Sequence, residues 1–186
     1  TLDSPLFSRL NANKSYVAQI KKNGWRIQIQ KDGDKISFFS RHNKNMEVIA
    51  DNADWNLLRQ LVAQFDCESC ICDGEFMHRR GEMKNVIYLW DMFELDGHQL
   101  KQPYGDRYKL LQKITTWNDN IRLTENFSGD FVELWNNLGE YEEDEGIVLK
   151  DLRESLHVSF RKPSSEKSGK QFKIVKEDPR NHTRSA

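Results

Sequence analysis

A lysine placed directly after an apolar run and three residues before a glycine, in Gln19-Ile20-Lys21-Lys22-Asn23-Gly24-Trp25-Arg26, could act as a covalent nucleophile. Alternation and apolar content predict strands over 16–20 and 27–30, and Asn23-Gly24 is a turn dipeptide that accepts positive φ. Lys21 then stands at a tight bend between strands. Partial burial and the neighbouring cations Lys22 and Arg26 both disfavour an ammonium, and the neutral amine is the nucleophilic form. Taken by itself the stretch also reads as an ordinary hairpin with solvated lysines.

Other segments carry acids, bases and an aromatic beside glycines and apolar strands. Asp73-Gly74-Glu75 ends a strand with a carboxylate on each side of a glycine, and Trp90-Asp91 sets an aromatic against a carboxylate. Glu145-Gly146-Ile147-Val148-Leu149-Lys150 combines acid, glycine, buried strand and base, and Phe172-Lys173-Ile174-Val175-Lys176 brings lysines on a late strand. Singly, each has a plain reading: Asp73-Gly74 as a turn, Trp90 as core, Glu145 as part of an acidic surface run, Lys173 and Lys176 as a solvated face.

The elements that must position these groups follow from periodicity. After a turn at 31–35, a strand over 36–40 continues a meander, and a polar loop covers 42–45. An amphipathic helix over 53–65 turns Leu57, Leu58, Leu61, Val62 and Phe65 to one side, with Asp51 or Asn52 as its cap. Strands over 71–78 and 86–94 follow, then a turn at Asp96-Gly97, a helix over 104–115, and a helix capped by Ser128 that carries Phe131, Leu134, Trp135 and Leu138 inward and stops at Gly139. An acidic loop over 140–145, a short strand over 146–149, a polar loop over 163–170 and a last strand over 172–175 complete the chain. Strands in hairpins interrupted by single helices predict an α+β fold with largely antiparallel sheets flanked by helices.

With 186 residues, 37% hydrophobic and 31% charged, the chain has the composition of one globular domain. No apolar run approaches the ~18 residues of a membrane span, and no leader opens the sequence. A net charge of −1 argues against indiscriminate binding to polyanions yet permits a local basic face. Cys67, Cys70 and Cys72 with His78 invite a zinc reading, but strand alternation makes Cys70 and Cys72 small core residues without a second ligand pair, and His78 a surface or edge residue. Three free thiols suit a reducing, intracellular setting, cytoplasmic or nuclear.

In their order along the chain these segments resemble the nucleotidyltransferase motifs of ATP-dependent DNA ligases, an ATP-grasp-like domain. The family pattern K-x-D-G-x-R is met by Lys21 to Arg26 with Asn23 in place of Asp, which removes a negative charge beside the nucleophile. A Ser-Arg strand end follows at Ser40-Arg41, D-G-E at Asp73 to Glu75, aromatic-plus-Asp at Trp90-Asp91 and E-G-I-V-L-K intact at Glu145 to Lys150. Pro103 and Arg107 ahead of a helix are similar too. In the last motif Lys173 fits the first lysine, whereas Val175 occupies the second position and Lys176 lies one place late. The resemblance runs from about residue 16 to 176.

The resemblance implies that Lys21 attacks the α-phosphate of ATP to give lysyl-AMP, that AMP passes to the 5′-phosphate of a nick, and that the 3′-hydroxyl seals it. It implies Mg²⁺ at Glu145 and Asp73, ribose at Glu75, the α-phosphate at Lys150 and Lys173, adenine stacked on Trp90 and read by Gln19, and nicked-strand phosphate at Arg26 and Arg41. The nucleotidyltransferase domain is expected over 1–176, a monomer acting on nicked duplex DNA, with 177–186 as a tail or the start of a linker to an oligonucleotide-fold domain. An mRNA capping guanylyltransferase and an RNA ligase share most of this order, and a catalytically degenerate nucleotide- or DNA-binding module is the alternative of another class.

Overall fold

The computed structural model describes residues 5–78, 82–138, 144–153, 157–161 and 175–177. In chain order these form α1 (Pro5–Asn11), β1 (Tyr16–Lys22), β2 (Trp25–Asp32), β3 (Lys35–Ser40), α2 (Met46–Ile49), α3 (Trp55–Ala63), β4 (Ser69–Met77), β5 (Val86–Leu95), β6 (His98–Gln99), α4 (Tyr104–Ile114), β7 (Ile121–Leu123), α5 (Phe131–Asn136), β8 (Asp144–Asp151), β9 (His157–Arg161) and β10 (Val175–Glu177). A six-stranded sheet has the order β3-β2-β4-β5-β6 with β7 beside β5, and a four-stranded sheet has the order β1-β8-β9-β10. Among the described residues only β5 with β7 is parallel, so the α+β class with largely antiparallel sheets holds.

β1 and β2 do not form the hairpin that Asn23-Gly24 suggested. β1 pairs with β8 and β2 with β3 and β4, so the dipeptide carries the chain from one sheet to the other. Neither residue has positive φ. Gly24 is needed for space: a Cβ there would collide with the Phe76 carbonyl oxygen and the Met77 sulfur at the end of β4. The true hairpin is β2 to β3, where Gly33 adopts φ 58°.

Each sheet buries one face. Ile27, Ile29, Phe38, Phe76, Ile87 and Leu89 pack with Trp55, Leu58 and Val62 of α3, each burial contributing about 1.5–3 kcal/mol. On the other sheet Ala18, Ile147 and Leu149 lie with Phe7 and Leu10 of α1 and Phe131 of α5. α3 begins later than the pattern predicted because Asp54, not Asp51 or Asn52, caps it by accepting from the Leu57 amide. Likewise Asp130 rather than Ser128 caps α5, since Gly129 at φ 110° turns the chain before the helix starts. α1, α2, β6, β7 and β9 were not foreseen, and β8 begins at Asp144, inside the stretch expected as an acidic loop.

Cys70 and Cys72 are buried as expected, and among the described residues no three metal-ligating side chains converge. His78 is not a surface residue: it is buried, stacked on Phe76, and its Nδ1 accepts the Asn85 amide. Gly139 and the expected elements over 163–170 and 172–174 lie outside the described residues.

Candidate active site

A cavity of about 670 Å³ is lined by Gln19, Lys21, Arg26, Arg41, Glu75, Trp90, Glu145 and Lys150, so one space gathers eight of the ten residues singled out from the sequence. Asp73 does not line it, and Lys173 lies outside the described residues.

Two strand irregularities aim its key side chains. Against β1, β8 pairs Gly146 with Lys21 and Asp144 with Lys22, skipping Glu145. A residue left out of the ladder is re-aimed by the local bend, and the Glu145 carboxylate lies 3.1 Å from Lys21 Nζ. Against β4, β5 pairs Asp91 with Asp73 and Leu89 with Gly74, skipping Trp90. Gly74 permits this crowding, since a Cβ there would strike the Tyr88 carbonyl oxygen. The glycine in Asp73-Gly74-Glu75 is therefore a packing requirement as well as part of a motif.

The cations are distributed unevenly. Lys22 pairs with Asp144 at 2.7 Å and lies over the Tyr88 ring. Arg26 holds both oxygens of Asp73, Nε to Oδ1 at 2.6 Å and Nη2 to Oδ2, and its guanidinium lies 5.4 Å from the Trp90 ring centre. The two cations expected to weaken the Lys21 ammonium are thus each neutralised by a carboxylate. Asp73 is only 2% exposed in its side chain, its oxygens bind Arg26, and it also accepts from Trp90 Nε1. Burial pushes its carboxyl above the usual range, against the pull of Arg26. Beneath it, Asp91 and Arg107 form a second ion pair, with Nε to Oδ1 at 2.9 Å and both side chains fully buried.

Lys150 is different. Its Nζ is buried and without a hydrogen-bond partner among the described residues, 4.5 Å from the Tyr104 ring centre and 5.5 Å from that of Trp90. Burial lowers its pKa to about 8, although Asp91 and Asp73 oppose the shift. Burial also pushes Glu75 up to about 7, outweighing Lys21 and Arg26. An orphaned cation at the wall of a cavity is an electrostatic demand for an anion, and a neighbouring carboxylate that takes a proton near neutrality adds little competing charge.

Arg41, with His42 and Lys44, forms an exposed basic rim, and Met46 and Ile49 of α2 wall the same side. Gln19 is 2% exposed and donates to Tyr104 and Asn126. Thr124, whose buried hydroxyl has no hydrogen-bond partner among the described residues, also lines the cavity. Sequence reasoning missed Tyr104, Thr124, Asn126 and, at the rim, His42, Lys44, Met46 and Ile49; Tyr104 had appeared only as the start of a helix.

Residues 6–85 match the family described as ATP dependent DNA ligase domain. The chain is 27% identical to the DNA ligase of Sulfolobus acidocaldarius over 73% of its own length and 27% of that protein, and 25% identical to the DNA ligase of Thermoplasma volcanium over 78% and 29%. It spans under a third of these curated relatives. The ligase domain of Mycobacterium tuberculosis LigD shares the fold at TM-score 0.58 and 18% identity, over 78% of this chain and 53% of that one. A mycobacterial DNA ligase D complexed with ATP and MES does so at TM-score 0.56 and 20% identity, over 81% and 52%. Motif order, the family match over residues 6–85 and the shared fold agree in likening this chain to the adenylation domain of ATP-dependent DNA ligases.

Proposed function

We propose that this domain carries out the nucleotidyl transfers of nick sealing, with Lys21 as nucleophile. The observation that carries the reading is the juxtaposition, in one cavity, of Lys21 against Glu145 and of the unpartnered Lys150. The Lys21 amine, once deprotonated, attacks the α-phosphorus of ATP; a P–N bond forms, the P–O bond to pyrophosphate breaks, and pyrophosphate leaves with the bonding pair. Lys150 meets the charge on the α-phosphate oxygens, joined by Lys173. Trp90 stacks on the base, Gln19 reads its edge and Glu75 accepts from a ribose hydroxyl.

Magnesium fits the donor set through Glu145, an acidic side chain 23% exposed at the cavity, because this ion takes one or two carboxylates and keeps several waters. When bound it supplies positive charge to the phosphate oxygens. Arg26, held in place by Asp73, and Arg41 at the rim take phosphates of the nicked strand.

The AMP then moves to the 5′-phosphate of a nick, which breaks the P–N bond and regenerates the amine on Lys21, and the adjacent 3′-hydroxyl attacks that phosphate, sealing the strand and releasing AMP. The setting proposed is intracellular, in keeping with three free cysteines, with nicked duplex DNA as partner, a monomeric domain, and an oligonucleotide-fold domain assisting it. No helix among the described residues is long and apolar enough to cross a membrane. The test is single-turnover sealing of pre-adenylated nicked DNA, which bypasses lysine charging: the chain closes the nick on DNA, and closure only of an RNA nick would move the assignment to RNA ligation.

A further inference from the structure

We infer that Tyr104 and Asn126 select the base of the nucleotide by fixing which end of the Gln19 amide faces the cavity; this rests on the adenylation reading above. Gln19 precedes Lys21 by two residues on β1, is 2% exposed and lines the cavity. Its Nε2 donates to the Tyr104 oxygen and, at 2.6 Å, to Asn126 Oδ1. The direction of a glutamine amide follows from what its partners can donate or accept. The Tyr104 hydroxyl gives its one proton to the Trp90 carbonyl at 2.9 Å, so towards Gln19 it can only accept. Burial holds this phenol well above its ordinary pKa, which keeps that proton in place. Tyr104 therefore takes the amino end of Gln19, and Asn126 takes the second amino hydrogen. What remains for an occupant of the cavity is Oε1, an acceptor only.

An acceptor is complementary to the exocyclic amino group of adenine. Guanine carries a carbonyl oxygen at the same ring position, and two acceptors facing each other leave both unsatisfied in a buried place. Thr124 does not discriminate, because a hydroxyl can donate or accept. The segment that holds Asn126 is tied to both sheets: the Thr124 amide donates to Leu89 on β5, Ala18 on β1 exchanges backbone bonds with Phe127, and the Tyr108 hydroxyl donates to the Thr124 carbonyl. Asn126 is thus a positioning residue on a braced segment.

The experiment compares ATP with GTP on the full chain in two readouts, equilibrium binding by calorimetry and adduct formation by intact mass. The wild type prefers ATP in binding. Tyr104→Phe removes the acceptor, and Asn126→Leu does the same on the other side; each lowers the ATP-to-GTP ratio by roughly tenfold or more. Asn126→Asp keeps an acceptor and holds the ratio near the wild-type value. If Tyr104→Phe fails to fold in a circular dichroism melt, the Asn126 pair still decides. A loss shared equally by both nucleotides, or an unchanged ratio, overturns the inference and assigns these residues a purely structural role. Preference for ATP in binding without any adduct contradicts the proposed function and supports this inference; equal binding of the two nucleotides with an adduct present does the reverse.

Discussion

Lys21 Nζ and Glu145 Oε1 come within 3.1 Å because β8 skips one residue against β1, leaving Glu145 outside the ladder. In regular register Glu145 would face Lys22. The nucleophile and its acidic partner are therefore products of one bulge at the junction of the two sheets. Glu145→Gln keeps the shape and removes the charge. We expect it to slow adduct formation on the order of 10²-fold, while ATP affinity falls by less than about tenfold. Label incorporation rates and titration calorimetry separate the two quantities.

Lys150→Met should stabilise the fold and abolish the reaction. The buried ammonium costs free energy wherever it is charged, and its pKa is lowered from 10.5 to about 8. At pH 7 the substitution should raise unfolding free energy by about 1–3 kcal/mol. The wild type regains stability between pH 8 and 10.5, where the unfolded chain binds the proton and the native chain does not, so the advantage of the variant shrinks across that window. Urea titrations at pH 7 and pH 10 measure it. A variant equally stable to the wild type at both would show that the amine is solvated.

For Glu75 the sign is opposite. Its folded pKa lies near 7 and its ordinary value at 4.5, so the native state binds the extra proton between them and wild-type stability is lost as pH rises through about 7. Glu75→Gln titrates nothing at this position. Relative to wild type it should be near neutral at pH 4.5 and on the order of 1–2 kcal/mol more stable at pH 8.

Gly74→Ala tests the second bulge. A Cβ against the Tyr88 carbonyl forces β4 and β5 apart, which should cost about 2–3 kcal/mol in denaturant. It should also displace Trp90, seen as a shift of tryptophan fluorescence on nucleotide binding. A loss of stability without that shift would detach the glycine from the placement of Trp90.

The order of chemistry-bearing residues was open to reading; their spatial partners were not. Period-two alternation located β2 to β5 well, because one face of that sheet is buried against α3. The pairing of β1 with β8 was hidden, since Asn23-Gly24 has the composition of a hairpin turn and the competing constraint, close passage of Phe76 and Met77, comes from a strand about 50 residues on. Bulges leave no local signal either, so nothing predicted that Glu145 and Trp90 would be turned out of register. The pairing of both Asp73 oxygens with Arg26 was likewise hidden, because the two residues lie on different strands far apart in sequence. Short elements such as α2 and β7, four and three residues long, fall below the length at which periodicity can be recognised.

The central claim is that Lys21 carries AMP. Intact mass spectrometry of the chain after incubation with ATP and magnesium, followed by peptide mapping, tests it directly. The account predicts an acid-labile adduct of one AMP on Lys21, absent in Lys21→Ala and reversed by pyrophosphate. An adduct on another residue, or binding of ATP with no adduct and no sealing of pre-adenylated nicked DNA, would contradict it and leave a nucleotide-binding domain without catalysis.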